Sequence, residues 1–341
     1  MTSLRPLIGL MLGDVTGIGP EVAARVLADP SLHEEARVVV VGDLRVLRLG
    51  QQDSGCSLSL QTVSRLSDIN WSDSTIPVID LADTNPADFQ RGVASPESGR
   101  LCGEALRVLT DMALRGEIEA VCFAPLNKGA MNRGGWKYLD EHAMFADWNH
   151  HQGYYGEVNL INLFCTFRVT SHVSLRAAVD LVVPERIEGA VRLAHSVLTG
   201  MGIAQPRIGV AALNPHGGEG GLFGREEIEI IGPTLESLRS QGLATQGPFP
   251  SDTVFLKAKA GLFDAVVIMY HDQGQIATKL LGFSEGVTLT GGLKTLYTTP
   301  AHGTAYDIVG QGKAHPGAMR RALDVAIRLA RARHSKREAQ S

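Results

Sequence analysis

The chain has 341 residues, too many for one compact core and enough for two domains of ordinary size. Apolar residues make up 44% and charged residues 20%, with 38 glycines, which describes a loop-rich globular enzyme and excludes a disordered or fibrous chain. A net charge of -4 supplies no basic field, so nucleic acid is not an expected partner.

The opening PLIGLML predicts a buried strand. Asp14 ends its apolar run far short of a membrane span, and no charged segment with a cleavage site precedes it, so neither export nor a membrane anchor is expected. GDVTGIGPEVAARVLADP predicts a glycine turn entering a helix, with Pro20 suited to its first turn, Glu21 complementing its dipole and Pro30 stopping it. The turn reads either as backbone N–H groups facing an anion or as a tight βα turn, and its spacing matches neither a P-loop nor GxGxxG. ARVVVVGD predicts a second buried strand, followed by a helix near Leu44 to Leu49. Residues 51 to 96 read as connecting surface apart from the short strand TIPVIDL. Ser98 is expected to cap a helix running to Arg115, and IEAVCFAP predicts a strand ending at Pro125-Leu126-Asn127-Lys128. Lys128 reads equally as a solvated lysine at a helix start or as a substrate contact.

From Gly129 to Gly156 the composition shifts to aromatics and histidine, where His142 is a ligand candidate and His150-His151 read as surface. Strand and helix signals then alternate through VNLINLF, FRVTSHVSL, a helix over Pro184 to Gly200, RIGVAAL and a helix over Glu226 to Gln241. The loop NPHGGEGGLFG between the last two is so rich in glycine that its entropy cost suggests a site. AVVIMYHDQG predicts a buried strand that stops in a polar loop at His271 to Gly274. GVTLTGGLKTLYTTP and AHGTAYDIVGQGKA precede a terminal amphipathic helix that frays into charge. Four cysteines without a CxxC pair indicate neither a disulfide framework nor a thiolate zinc site, and a reduced cytoplasm is the expected compartment.

Three histidines therefore stand at three strand ends: His172 after FRVTS, His216 after RIGVAALNP, His271 after AVVIMY. Singly each is most simply a hydrogen-bonded structural group. Together they favour a catalytic metal site with open positions, converging through the fold because no HExxH spacing is present.

The motifs GD-x-x-GIGPE (Gly13 to Glu21), P-x-NK (Pro125 to Lys128), SH-x-x-LR (Ser171 to Arg176), NPH-GEGG (Asn214 to Gly221), YHDQG (Tyr270 to Gly274) and HGTA-x-DI-GQG (His302 to Gly312) resemble, in order and over nearly the whole chain, those of the 4-hydroxythreonine-4-phosphate dehydrogenase family, PdxA. The resemblance implies an α/β fold of two α/β/α domains with a cleft between them, similar to isocitrate and isopropylmalate dehydrogenases. Residues 1–125 with 272–341 would form the first domain, and 126–271 the second, carrying metal and dimer contacts. It implies a homodimer whose active site lies at the interface, one divalent ion (Zn, Mg, Mn or Co) on His172, His216 and His271, and NAD or NADP on a loop containing His302, Gly303, Thr304, Ala305, Asp307 and Gly310. Asp307 would bond to the cofactor or brace the loop. Lys279 matches a substrate lysine that clamps charge or relays a proton, and Asp252 an element orienting a ligand. The implied chemistry is oxidation of an alcohol β to a carboxylate followed by loss of carbon dioxide, on a small-molecule substrate.

Departures from the family pattern bear on that substrate. The substrate pair His-Thr is His142-Ala143, the substrate asparagine falls on Thr288 and the substrate arginine on Tyr297, while Lys128 remains. Losing an arginine removes the best bidentate partner of phosphate. The sequence therefore leans to a non-phosphorylated substrate such as a cis-dihydrodiol carboxylate of the terephthalate type. The alternative is 4-hydroxythreonine-4-phosphate in pyridoxal phosphate biosynthesis, and the competing class is a non-catalytic ligand-binding protein.

Overall fold

The computed structural model describes residues 5–71, 75–282 and 285–338, so the last three residues of the fraying tail lie outside it. β1 (Leu7–Met11), buried throughout, passes through a glycine turn into α1 (Gly19–Leu27), with Pro20 in the first turn. α2 (Pro30–Glu35) is capped by Asp29, β2 (Arg37–Gly42) follows, and α3 (Leu44–Ser54) is capped by Asp43. β3 (Leu60–Val63) and β4 (Ile76–Asp80) fall within the stretch expected to be mostly connecting surface. α4 (Pro96–Leu114) is capped by Ser95, not Ser98, because Pro96 fits the first helical position and the Ser98 hydroxyl turns inward to Asp14.

β5 (Ala120–Phe123) leads to α5 (Lys128–Arg133), capped by Asn127, and α6 (Glu141–Trp148), capped by Asp140. Then come β6 (Gly156–Leu160), β7 (Cys165–Arg168), α7 (Leu175–Asp180), α8 (Pro184–Gly200) and β8 (Ile208–Ala211). The helix expected from Glu226 starts as a π-helical turn over Glu227–Ile231 and continues as α9 (Gly232–Ser240). β9 (Thr245–Phe249), α10 (Ser251–Lys259), β10 (Ala265–Ile268), α11 (His271–Gly282), β11 (Val287–Gly291), β12 (Leu296–Pro300) and α12 (Gly317–Glu338) complete the chain. His271 to Gly274, expected as a polar loop, are thus the first turn of α11. Among the described residues no helix is long and apolar enough to cross a membrane.

Two compact α/β units result, Met1–His151 with Leu293–Ser341 and Gln152–Gly292. The divisions fall at 151/152 and 292/293 rather than the 125/126 and 271/272 expected from the sequence. Residues 126–151 stay with the first unit because α5 and the following loop press on glycines of α4. A Cβ at Gly99 would come within 2.2 Å of the Ala130 backbone, and one at Gly103 within 1.9 Å of the Trp136 indole.

The first unit has the wholly parallel order β3-β4-β2-β1-β5-β12. Its central strands are apolar on both faces, as helices on both sides of a parallel sheet require. The second unit runs β11-β6-β7-β10-β8-β9, antiparallel at β11-β6-β7 and parallel beyond.

Tyr297, expected to face substrate, belongs to the core of the first unit. It is 1% exposed and stacks on Phe145 at 3.8 Å with the rings 3° from parallel. Its hydroxyl donates to Thr110 Oγ1 (3.1 Å) and accepts from Asn149 Nδ2 (2.9 Å), and burial pushes its pKa up. Tyr297→Phe is expected to cost about 1–2 kcal/mol for a lost buried hydroxyl with two partners. Tyr297→Arg should cost about 3–5 kcal/mol by burying an unpaired charge. Urea unfolding of both variants checks this, and an unchanged midpoint for Tyr297→Arg would show that the side chain is not held in the core.

Candidate functional site

The second unit brings the three strand-end histidines onto neighbouring strands. β10 pairs in parallel with β7 on one side and β8 on the other, so His271, His172 and His216 all leave the same edge of three adjacent strands. Pairing between β7 and β10 continues past the strands proper. The Val169 amide donates to Ile268 O (2.8 Å), and Thr170 donates to Met269 O from both its amide (3.1 Å) and its hydroxyl (2.8 Å). The rings of His172 and His271 consequently lie 5.5 Å apart, half-buried. His271 Nδ1 is 2.6 Å from Asp272 Oδ1; a proton there leaves the ring's lone pair on Nε2.

His216 stands in an unusual loop. Residues 216 to 220 are all left-handed, with φ of 53° at His216, 66° at Gly217, 80° at Gly218, 43° at Glu219 and 64° at Gly220. Glycine adopts this region freely, whereas each L side chain there costs roughly 1–2 kcal/mol, which accounts for the glycine content and makes His216 and Glu219 strained. The buried Glu227 carboxylate braces the loop entrance. It accepts from the amides of Leu213 and Asn214, both at 2.8 Å, and from Asn214 Nδ2 at 2.9 Å. Asn214 Nδ2 also donates to Glu226 at 2.6 Å, and the Glu226 backbone N–H together with this bond holds that carboxyl below its ordinary pKa. A Cβ at Gly218 would come within 2.7 Å of Glu227 Oε2, so loop and carboxylate fit only with glycine there.

Among the described residues no three His, Cys, Asp or Glu side chains converge as a metal group within the chain. The donor chemistry still suits a divalent ion: two adjacent imidazoles, one with its tautomer set by a carboxylate, and a third exposed on a strained loop. α11 is tied to β7 by Arg168, whose buried guanidinium pairs with Glu157 (2.7 Å) and donates to Gln275 (2.9 Å). Lys279 lies exposed on α11 two turns beyond His271, Asp252 is exposed in the first turn of α10, and Thr288 is buried in β11 opposite Asn159.

In the first unit, the segment from His302 follows β12 and packs on the β1–α1 turn. The Ile18 amide donates to Thr304 O (3.0 Å), and a Cβ at Gly17 would come within 2.8 Å of Thr304 Cβ. The fully buried Asp14 carboxylate accepts from the Thr16 amide (2.9 Å) and hydroxyl (2.7 Å), the Tyr306 hydroxyl (2.9 Å) and Ser98. Burial and the Asp14 charge push the Tyr306 hydroxyl pKa up. Farther along, Glu21 accepts from the Ala314 amide (3.0 Å) and Arg25 donates to Gly312 O (2.8 Å). So anchored, the segment leaves Gly303, Asp307 and Gly310 exposed, with open space at Gly303, left-handed backbone at Ala305 (φ 40°) and Gly310 (φ 72°), and the His302 ring beside Gly303 O. Such a rim allows the close approach a dinucleotide needs.

His142 is buried in the first turn of α6, its Nε2 3.8 Å from Glu141, and the Ala143 amide donates to Asp140. Lys128 pairs with the buried Glu141 at 2.8 Å, on the wall of a cavity of about 250 Å3 that Met131, Trp136, Tyr138 and Met144 also line. Asp14, Glu227 and Gln273 escaped the sequence reading. Each acts through bonds made only in the folded chain; Asp14 and Gln273 stand inside the motifs GD-x-x-GIGPE and YHDQG, the one sequence signal for them, and Glu227 has none.

The family model for the pyridoxal phosphate biosynthetic protein PdxA matches residues 34–326. A Pseudomonas aeruginosa protein provisionally named 4-hydroxythreonine-4-phosphate dehydrogenase 2 is 43% identical over 96% of this chain and 97% of its own. The D-threonate 4-phosphate dehydrogenase of Salmonella typhimurium is 37% identical over 95% and 98%. Among solved structures, a 4-hydroxythreonine-4-phosphate dehydrogenase from Klebsiella pneumoniae is 36% identical with a TM-score of 0.83, covering 97% of this chain and 100% of that one. A terephthalate 1,2-cis-dihydrodiol dehydrogenase from Burkholderia xenovorans is less similar, at 28% and 0.64, covering 92% and 95%. Matched by the family model over residues 34–326 and by such relatives along nearly its whole length, the chain belongs to the PdxA family.

Proposed function

We propose that the protein is a divalent-metal-dependent, NAD- or NADP-dependent dehydrogenase. Its substrate is a phosphorylated hydroxy acid of the 4-hydroxythreonine 4-phosphate or D-threonate 4-phosphate type, oxidised at the alcohol β to the carboxylate and then decarboxylated. The observation that carries this reading is the exit of His172, His271 and His216 from three adjacent strands. An ion held by these imidazoles supplies Lewis acidity at the alcohol and carboxylate oxygens, and a bound nicotinamide accepts the hydride. Asp272 fixes the His271 tautomer, and Glu227 holds the loop that presents His216. The exposed Lys279 and Asp252 carry charge or protons for the substrate, and the rim at Gly303 and Gly310 seats the dinucleotide, with Asp307 as a polar contact.

The lean toward a non-phosphorylated dihydrodiol is withdrawn. It rested on Ala143, Thr288 and Tyr297 as three changes in one pocket, and of these Tyr297 is packed in the core and Thr288 is buried in β11. The relatives at higher identity bear the names of phosphorylated-substrate enzymes, while the dihydrodiol dehydrogenase is less similar.

A second copy of the chain completes the site in this reading. Exposed apolar side chains flank every histidine: Leu175 (63% exposed) after His172, Leu222 (73%) after His216, and Ile276 (61%) and Leu280 (81%) on the helix of His271. An apolar surface this concentrated around three polar ligands fits burial against a partner.

Rates of NADH or NADPH formation with 4-hydroxythreonine 4-phosphate, D-threonate 4-phosphate and a cis-dihydrodiol carboxylate test the substrate. A phosphorylated acid should exceed the dihydrodiol in kcat/KM by about 10- to 100-fold, the worth of one or two charge-assisted contacts. Chelation should abolish turnover and added zinc, manganese, magnesium or cobalt restore it; faster oxidation of the dihydrodiol would overturn the assignment. For the assembly, Leu280→Asp and Leu222→Asp should convert a dimer to monomers in analytical ultracentrifugation. A wild-type monomer that retains metal and activity would remove the partner from the site.

A further inference from the structure

The Gln273 side chain links three segments at this edge: the turn before His271, the strand end before His216 and the start of α10. Its Oε1 accepts from the Met269 amide at 2.7 Å, closing the turn that presents His271. Its Nε2 donates to Ala212 O at 2.7 Å, four residues before His216. The same nitrogen donates to Ser251 Oγ at 2.7 Å, at the start of α10 and next to Asp252. Ser251 in turn donates to Ala212 O at 3.1 Å, so amide, hydroxyl and carbonyl form a closed triangle. Both hydrogens of Nε2 and the oxygen are used, and an amide is the one uncharged side-chain group that accepts from a backbone N–H on one atom while donating twice from another.

β-sheet pairing does not do this work. β10 and β8 are in register only at Ala265, Val266 and Val267 opposite Ile208, Gly209 and Val210, so the segments running on to His271 and His216 have left the ladder. On the other side, by contrast, backbone bonds from Val169 and Thr170 carry the β7–β10 pairing beyond the strands. Gln273 thus bonds the His271 turn to the segment before His216 where β10 and β8 no longer pair, whereas backbone bonds hold it to the end of β7 before His172.

We infer that Gln273 is a positioning residue that fixes the His271 turn against the His216 loop, and that with Ser251 it sets the affinity and coordination geometry of the metal. This rests on the reading of the histidines as metal ligands. Gln273→Glu is nearly isosteric and keeps an acceptor for Met269, but sets a carboxylate oxygen against the Ala212 carbonyl. Gln273→Ala removes all three bonds, and Ser251→Ala removes one corner of the triangle while leaving Gln273 bonded to Met269 and Ala212.

Full-length wild type, these variants, His271→Ala and His216→Ala are stripped with chelator and titrated with cobalt(II) against a chromophoric competitor. The visible spectrum reports coordination geometry, and circular dichroism reports the fold. Both Gln273 variants are expected to bind cobalt about 10- to 100-fold more weakly, the usual cost of losing an outer-sphere partner, with a shifted spectrum. Ser251→Ala is expected to show a smaller change in the same direction. A shifted spectrum in a folded variant is an effect that general loosening of the unit does not produce. Wild-type affinity and spectrum in any folded Gln273 variant, alongside loss of binding in His271→Ala, would overturn the positioning role and leave the metal site standing. Should a Gln273 variant not fold, wild-type behaviour in Ser251→Ala overturns it equally. Undiminished cobalt binding in both histidine variants would instead overturn the metal reading, and the positioning role with it.

Discussion

The parallel pairing of β10 with β7 on one side and β8 on the other is the constraint on which the rest of the second unit depends. Three short strands, all buried, can be contiguous only if their connections cross over through helices, and α7, α8, α9 and α10 provide those crossings. Parallel strands end together, so whatever follows them is delivered to one edge of the sheet. In this chain His172, His216 and His271 follow them.

Delivery to an edge is coarse, and the final placement depends on polar side chains acting on backbone. Holding His216 in left-handed backbone costs about 1–2 kcal/mol, as does Glu219 beside it. Hydrogen bonds to a charged acceptor contribute about 1.5–3 kcal/mol each, and Glu227 makes two to the backbone at the loop entrance. The strain is thus offset where the loop begins, and the loop itself stays free of side chains that would crowd a ligand. The first unit repeats this logic with Asp14. A fully buried carboxylate costs several kcal/mol unless paired or hydrogen-bonded, and Asp14 meets that condition with donors from Thr16, Ser98 and Tyr306. One carboxylate thereby joins the β1–α1 turn, α4 and the segment after β12.

What was legible in the sequence follows from the range of the physical signal. Apolar runs such as VVVV in β2 and AVVI in β10 announce buried strands because burial on both faces needs no partner to be named. The glycines after Asn214 marked a loop with a purpose for the same local reason, and the structure adds that its backbone is left-handed from 216 to 220. Ser95 and Ser98 are chemically equal caps, and Pro96 was the local cue that separated them. His271 opening a helix, Gln273 reaching Ala212 and Glu227 reaching Leu213 had no local cue, since each depends on a contact made only in the folded chain. The unit boundaries were misplaced likewise, because Gly99 and Gly103 on α4 admit α5 and Trp136 at distances that composition does not reveal.

The same distinction decides how far substrate can be read from positions matched to a family. A strand buried on both faces sends every side chain into packing, and β12 is buried from Leu296 to Pro300. A residue there reports on its neighbours before it reports on a ligand. An arginine at position 297 would replace a ring stacked on Phe145 and a hydroxyl bonded to Thr110 and Asn149. Thr288 is similarly enclosed in β11, its hydroxyl 3.5 Å from Asn159. Of the three departures from the family pattern only Ala143 sits at the start of a helix, in the turn after the Lys128–Glu141 pair, where a changed side chain alters a surface rather than a core. Substitutions at 288 and 297 therefore first change how each unit packs, whereas one at 143 changes the first turn of α6 next to the Lys128–Glu141 pair.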